Sequence, residues 1–361
     1  MQDKLDLYTD YLLTTVSQAS ATGLSKLVDG AISHDAISRL LSKNTYTSKD
    51  LWKSAKGLVR KHETVEGYLI FDDSLIHKPH TDESALIYWH YDHSTGKSVK
   101  GINLLTAFYH SRAPDQSLAL SVPVSYELVL KTIRFCDVKT QKEKCKSPVT
   151  KNELLREMVA QNIHNQLKFK YVLADSWYGS SDNMRFIYRK KKYFIFDRKS
   201  NRKAALSETD RNKGQWTRID ALDIPDNTPV KVWLKDLEIP LLLTKQIFTN
   251  KNQSTGVRFL VSNDLDLSDD DFTTIYKKRW SVEEYHKSLK QNAAIAKSPT
   301  KIIKTQSNHL FAAMLAYVKL ETIKFVQQLN HFALKSKIYL AVNKAAFKEL
   351  CKLKQEHYAS A

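Results

Sequence analysis

The sequence of 361 residues has few cysteines and no long apolar run. Its three cysteines, Cys136, Cys145 and Cys351, are odd in number and scattered. Neither a disulfide framework nor a CxxC zinc site is therefore expected. No segment approaches the roughly 18 apolar residues that cross a membrane, and no signal peptide is visible at the N-terminus. These absences exclude a disulfide-rich secreted domain and a membrane partner, and we expect a protein of the reducing cytoplasm.

What the sequence does have is a strong excess of positive charge. The formal net charge is +17, which predicts an acidic polymer as partner through attraction to phosphates. Residues 285–361 carry 13 Lys against 3 Glu, and residues 185–203 carry nine Lys and Arg against Asp197 alone. Aromatic residues alternate with the cations of the second block, which is typical of folded segments that border a DNA channel. We therefore expect double-stranded DNA as the partner.

The most informative segment is 276–290. Ser268 and the three aspartates after it predict a helix start, because a hydroxyl cap and negative charge stabilise the first turn. Four side chains then lie within about 60° on one face of a regular α-helix: Tyr276, Arg279, Glu283 and Lys290. Such a face suits a metal-bound phosphate, with Glu as oxygen ligand and the cations on a nucleic-acid backbone. The alternative is a solvated face, because Arg279 and Glu283 are also an ordinary i,i+4 ion pair.

Two apolar runs end in acid. Residues 67–74 run into Asp72 and Asp73, and residues 171–179 run into Asp175 with a glycine turn just after it. Both patterns predict buried strands that reach an edge of a sheet. Alternation along the first strand places Asp72 and Asp73 on opposite faces. Strand-end acids that serve as turns or helix caps are the alternative, which is less expected for two strands together with the acidic helix.

The spacing Y-x2-R-x3-E-x6-K, together with the two strand-end acids, resembles the DDE transposases of bacterial insertion sequences, in the family founded by the fourth insertion sequence named. The resemblance implies an α/β fold with an RNase-H-like catalytic core. It implies three residues that are both catalytic and metal ligands: Asp72, Asp175 and Glu283. The family pattern puts the catalytic acid at Asp72 and a variable residue at Asp73. It also implies three residues that bind DNA: Tyr276, Arg279 and Lys290.

The implied reaction is phosphoryl transfer with two Mg²⁺ ions, for which Mn²⁺ can substitute. Water would nick a transposon end, and the released 3′-OH would attack first the opposite strand, forming a hairpin, and later the target DNA. The partners would be inverted-repeat ends and target DNA, held by a homodimer because both ends must be kept together. Apolar residues within 310–320 are candidates for that contact, with packing against the RNase-H-like domain as the alternative. A generic nuclease and a catalytically silent, transposase-derived repressor are the other functions considered, and the intact acids favour the enzyme.

The chain divides into five expected regions. They are a helical DNA-binding domain at 1–62, the first part of the catalytic core at 63–198, a β-rich insertion at 199–256, the second part of the core with the Glu283 helix at 257–293, and a basic helical C-terminal region at 294–361. Within the first region, residues 20–43 predict a helix-turn-helix, with Gly30 in the turn and Ser33 as N-cap. A helical hairpin of purely structural role is the alternative. The insertion is what the resemblance implies.

Histidines and tryptophans near these motifs are further candidates for functional roles. A zinc site would draw on His77, His80, His90, His93 and His110. No HExxH or comparable ligand set completes it, so contacts with phosphate or solvent are expected instead. Trp177 and Trp280 are expected to pack beside the catalytic positions. Trp233 is expected in a strand core, with stacking on a flipped base as the alternative.

Overall fold

The computed structural model describes residues 3–92, 95–113, 117–138, 141–249 and 253–359. The chain forms two compact units, one of Met1–Leu58 with Tyr285–Ala361 and one of Val59–Glu284. The two ends of the chain thus belong to a single helical unit, and the middle forms the sheet-containing unit. Among the described residues, every helix is too short or too polar to cross a membrane.

Four helices open the chain: α1 (Lys4–Thr14), α2 (Ala21–Leu27), α3 (His34–Lys43) and α4 (Ser48–His62). The predicted helices and turn around residue 30 are confirmed. Gly30 has φ +77°, a conformation that glycine adopts without steric cost. The Ser33 side chain accepts a hydrogen bond from the Ala36 N–H at 3.2 Å, which satisfies a donor that a helix start leaves unpaired. DNA binding by this segment stays a prediction.

The central part of the sheet-containing unit follows in chain order. Its elements are β1 (Tyr68–His77), β2 (Tyr88–Asp92), β3 (Lys97–Ser111), β4 (Leu120–Leu128), the hairpin β5 (Ile133–Asp137) and β6 (Lys142–Lys146), α5 (Lys151–His164), β7 (Tyr171–Ala174), α6 (Ser181–Arg189) and β8 (Tyr193–Asp197). β1 pairs antiparallel with β3 and parallel with β7, and β7 pairs parallel with β8. All four residues of β7 are buried, as expected for a strand covered on both faces.

The segment after β8 extends this sheet. It contains β9 (Lys203–Ala205), α7 (Glu208–Asn212), β10 (Thr217–Arg218), β11 (Val230–Leu234), β12 (Pro240–Thr249) and β13 (Thr255–Ser262). Because β13 pairs antiparallel with β8, these strands join one mixed sheet in the order β10-β9-β11-β12-β13-β8-β7-β1-β3-β2, with β4 also on β3. Trp233 is 7% exposed on β11, which confirms its expected place in a strand core.

Two helices separated by a tight turn carry the 276–290 motif. They are α8 (Asp269–Lys277) and α9 (Ser281–Asn292), with a 3₁₀ turn at Lys278–Trp280 between them. The helix start at Ser268 is confirmed by a capping box, in which Ser268 and Asp271 each accept the other's backbone N–H. The expectation of one regular helix is wrong, because the 3₁₀ turn has about three residues per turn and shifts the side chains before it relative to those after it.

Helices α10 (Ile303–Gln327) and α11 (His331–Ala359) complete the helical unit. Within α10, Leu310, Met314 and Leu320 are 0% exposed and Val318 is 4% exposed. The helix packs on α1 and α3. Packing on other helices of the same unit, rather than on the predicted RNase-H-like domain, therefore accounts for the burial of these apolar residues.

Candidate active site

The register of three parallel strands aligns three aspartates. Ile70 on β1 lies opposite Leu173 on β7, which lies opposite Ile195 on β8. Two residues further along each strand stand Asp72, Asp175 and Asp197. Residues two apart share a face of a strand, so continuing the register places these aspartates in one row. Asp72 and Asp175 are site residues that the sequence predicts, whereas the sequence shows Asp197 only as the lone acid in a basic block.

Strand β1 does not end at its acids as the sequence predicted. Its pairing with β3 runs from Tyr68 to His77, and this antiparallel partner holds it extended past Asp72. Its pairing with β7 extends only to Ile70, because β7 ends at Ala174. At Asp72, β1 therefore keeps its antiparallel partner β3 but no longer pairs with β7. The prediction is correct for Asp175, which directly follows β7.

Asp175 also shapes the turn after its strand. Its Oδ1 accepts a hydrogen bond from the Trp177 N–H at 3.0 Å, the turn role that was weighed as the alternative. A carboxylate has two oxygens and several lone pairs, so this bond leaves Asp175 able to bind a cation. Gly179 closes the turn, and a Cβ there would lie 2.7 Å from the Asp197 carbonyl oxygen. The glycine thus permits the close approach of the chain to the end of β8.

Asp72 and Glu283 meet across the site. Each offers a carboxylate oxygen, and these atoms lie within 4.8 Å of each other. Burial raises the pKa of Asp72 to about 8, with Glu283 and Asp73 adding to the rise and Arg279 opposing it. Carboxylates crowded in this way repel one another, and a bound cation would relieve the repulsion. Because carboxylate oxygens are the ligands that Mg²⁺ prefers, the residues present fit a divalent metal ion.

Asp73, on the opposite face of β1, has a different environment. Its carboxylate accepts hydrogen bonds from the Tyr178 hydroxyl at 2.6 Å, from Asn103 Nδ2 at 2.6 Å and from Lys151 Nζ at 2.9 Å. Burial acts to raise the pKa of Asp73, but Lys151 and these hydrogen bonds outweigh it, and the pKa lies below its ordinary value. Asp73 is therefore held as an anion by protein donors.

Arg279 lies beside the carboxylates. Its Nη1 lies 3.4 Å from Glu283 Oε1, and its side chain is only 12% exposed. The i,i+4 pair therefore exists, but a solvated helix face is the wrong description of this arginine. Its Nε is buried with no hydrogen-bond partner among the described residues. An unpaired buried donor is costly, so Arg279 has a donor that an incoming anion could use.

The two other residues predicted to bind DNA differ from Arg279. Tyr276 is 3% exposed, and its hydroxyl donates to the Ala174 carbonyl at 3.3 Å. In this structure the phenol therefore ties α8 to the end of β7, and its contact with the DNA backbone stays a prediction. Lys290 lies two turns beyond Glu283 on α9, in the helical unit, and is exposed. Its contact with DNA stays a prediction.

The tryptophans next to the site do not pack as expected. Trp177 is 49% exposed and Trp280 is 55% exposed. The ammonium groups of Lys151 and Lys199 lie 4.9 Å and 5.7 Å from the centre of the Trp177 ring. These cations are attracted to the face of the ring and stabilise the exposed indole, an arrangement that the sequence did not predict. Of the histidines considered for zinc, His77 lies 3.7 Å from Asp92, and His93 lies outside the described residues.

Two family models match the chain. A model described as DDE superfamily endonuclease matches residues 1–228, and a model described as Transposase DDE domain matches residues 146–319. The first segment includes Asp72 and Asp175, and the second includes Asp175 and Glu283. No curated protein matches the chain. Since the first match spans more than half of the sequence, the chain belongs to the DDE superfamily endonucleases, as a metal-dependent nuclease or transposase.

Proposed function

We propose that this enzyme is a cut-and-paste transposase of an insertion sequence, with Asp72, Asp175 and Glu283 as its catalytic residues and metal ligands. The observation that carries the proposal is the meeting of strand-borne and helix-borne carboxylates beside one buried arginine. Two Mg²⁺ ions, or Mn²⁺ in their place, would activate the attacking oxygen and stabilise the leaving oxygen. Such chemistry needs little from the protein beyond positioning and charge.

The roles of the surrounding residues follow from their contacts. Arg279, with its unpaired Nε, would bind the phosphate that reacts, because a guanidinium suits phosphate oxygens. Tyr276 would hold α8 against β7 and so fix the distance of Glu283 from the aspartates. Lys290 would contact the DNA backbone further along α9. Support for an RNase-H-like core comes from the strand order β3-β1-β7-β8, with β3 antiparallel to three parallel strands.

The partners proposed are inverted-repeat ends and target DNA, with two protomers holding two ends in a bacterial cytoplasm. A silent repressor would bind such ends without cleaving them. The retained carboxylates, with the raised pKa of Asp72, weigh against it, because clustered buried acids destabilise a protein that has no use for them.

A strand-transfer assay tests this function. The substrate is a labelled duplex from the DNA that flanks the gene, ending in the candidate inverted repeat, with a supercoiled plasmid as target and Mg²⁺ present. We expect excision of the end and its joining to the plasmid, and loss of both with EDTA. Glu283→Gln should remove both reactions while keeping DNA binding, and Glu284→Gln, at the exposed neighbour, is the matched control.

Each failure of the assay has its own meaning. Cleavage without joining would indicate a nuclease rather than a transposase. Binding of the end duplex without cleavage would indicate the repressor.

A further inference from the structure

A cavity of about 470 Å³ lies beside the row of aspartates. Ser176, which follows Asp175, and Asp197, which shares its row, are both in the lining. The volume is within the range of ligand sites in proteins. The cavity therefore adjoins the carboxylates proposed for catalysis and has room for a further part of the same substrate.

Positive charge exceeds negative charge in the cavity lining once the lining residues with ion-pair partners are set aside. Lys245 pairs with Asp226 at 2.8 Å, and Asp220 pairs with Arg218 at 2.6 Å. These two lining residues therefore largely cancel with neighbours. The remaining charged residues of the lining are Asp197, Arg198, Lys199 and Arg258. Three cations against one carboxylate favour an anionic ligand.

Arg258 is the cation best prepared to bind such a ligand. Its guanidinium carbon lies 4.9 Å from the centre of the Tyr276 ring and 5.6 Å from that of Phe248. These rings and the hydrogen bond from Nη2 to Gln246 Oε1 at 2.9 Å fix the side chain. Its Nε is buried with no hydrogen-bond partner among the described residues. A pre-oriented guanidinium with an unused donor suits a phosphate better than a mobile ammonium does.

We propose that Arg258 binds a DNA phosphate adjacent to the one at the carboxylates, and that Asp197 balances the charge of Arg258 when DNA is absent. The proposal rests on the proposed function, because it takes DNA as the substrate of the neighbouring carboxylates. It adds a phosphate subsite supplied by β8 and β13. Asp197 on β8 lies opposite Leu260 on β13, and Arg258 is two residues from Leu260 on the same face of that strand. The two side chains are therefore neighbours on one face of the sheet, and Arg258 opposes the rise that burial causes in the pKa of Asp197. DNA would compete with Asp197 for Arg258.

This competition predicts opposite effects for two neighbouring substitutions. Binding of a fluorescein-labelled nicked duplex is measured by anisotropy, with Ca²⁺ in place of Mg²⁺ to prevent cleavage, at several salt concentrations. Arg258→Gln should weaken binding about tenfold and lower the salt slope by about 0.9, the value for one phosphate contact. Asp197→Asn should tighten binding about threefold at low salt, because the competing carboxylate is gone.

Two further variants complete the test. Arg258→Lys keeps the positive charge but loses the planar guanidinium group. It should therefore keep the salt slope and lose only part of the affinity for DNA. Arg134→Gln, at an exposed arginine that pairs with Glu143 and lies outside the cavity lining, should change nothing and is the control. Circular dichroism establishes that each variant is folded, and if Arg258→Gln is not, Asp197→Asn decides the question alone.

The outcomes separate this inference from the proposed function. An unchanged slope for Arg258→Gln, or weaker binding for Asp197→Asn, overturns the subsite even if the protein joins ends to a target. The expected opposite effects, in a protein that never joins ends, would establish the subsite and overturn the transposase. If the unmodified protein binds no DNA, both are wrong.

Discussion

The two faces of strand β1 give neighbouring carboxylates opposite environments. Asp73 accepts three hydrogen bonds from protein donors, and its pKa is lowered. Asp72 faces other carboxylates, and its pKa is raised to about 8, chiefly by burial. The same residue type, one position apart, is thus a structural anion on one face and a candidate metal ligand on the other. The donors around Asp73 and the carboxylates beside Asp72 thus distinguish two positions that share one motif.

The largest expected difference between Asp72 and Asp73 is in catalytic activity. Asp72→Asn should reduce metal-dependent nicking of a supercoiled plasmid on the order of a thousandfold, about 4 kcal/mol of barrier, because a metal ligand is lost. Asp73→Asn should reduce it at most about a hundredfold, through misplacement of its neighbour. The two variants are each other's matched control. A dead Asp73→Asn beside an active Asp72→Asn would reverse the assignment of the two faces.

Stability should change in opposite directions at the same two positions. Asp73→Ala should lower the free energy of unfolding by about 2–4 kcal/mol, because Lys151 and the Tyr178 hydroxyl lose their buried acceptor. Asp72→Asn should raise it in the metal-free protein, because the crowding of carboxylates is relieved. Urea unfolding in EDTA measures both. Destabilisation by Asp72→Asn would mean that protein donors hold this carboxylate too.

The stabilisation that we expect from Asp72→Asn should depend on pH. The folded pKa of Asp72, about 8, lies above its ordinary value. Its contribution to stability is therefore complete below the unfolded pKa, declines as pH rises, and is lost above about pH 8. The gain in melting temperature from Asp72→Asn should then be larger at pH 8 than at pH 5. An equal gain at both values would contradict the raised pKa.

The smallest expected effect concerns the link between α8 and β7. Tyr276→Phe removes the hydrogen bond to the Ala174 carbonyl, which should cost about 1 kcal/mol of stability and reduce nicking a few-fold. Tyr188→Phe, at a tyrosine that is 48% exposed, is the control. Loss of DNA affinity without loss of stability would support the sequence-based prediction that Tyr276 contacts the DNA backbone.

The sequence predicted those features that depend on residues close together along the chain. Alternation separated Asp72 from Asp73, and the Ser268 cap and the start of α8 followed from local helix chemistry. The continuation of β1 to His77 could not be predicted, because β3 holds it and comes later in the chain. The position of Asp197 depends on the register between β7 and β8. The position of Arg258 depends on the pairing of its strand, β13, with β8. Pairing between segments that are distant in sequence decides these positions, and the periodicity within one segment cannot predict that pairing.

The aligned register of β1, β7 and β8 determines where insertions and deletions can occur without moving the aspartates. Loops between these strands can lengthen or shorten without moving the aspartates, since each strand is placed by its neighbours. A single residue gained or lost inside β7 would instead turn Asp175 to the opposite face of the sheet. The alignment of the acids therefore depends on which face each strand presents, and not on the number of residues between the strands.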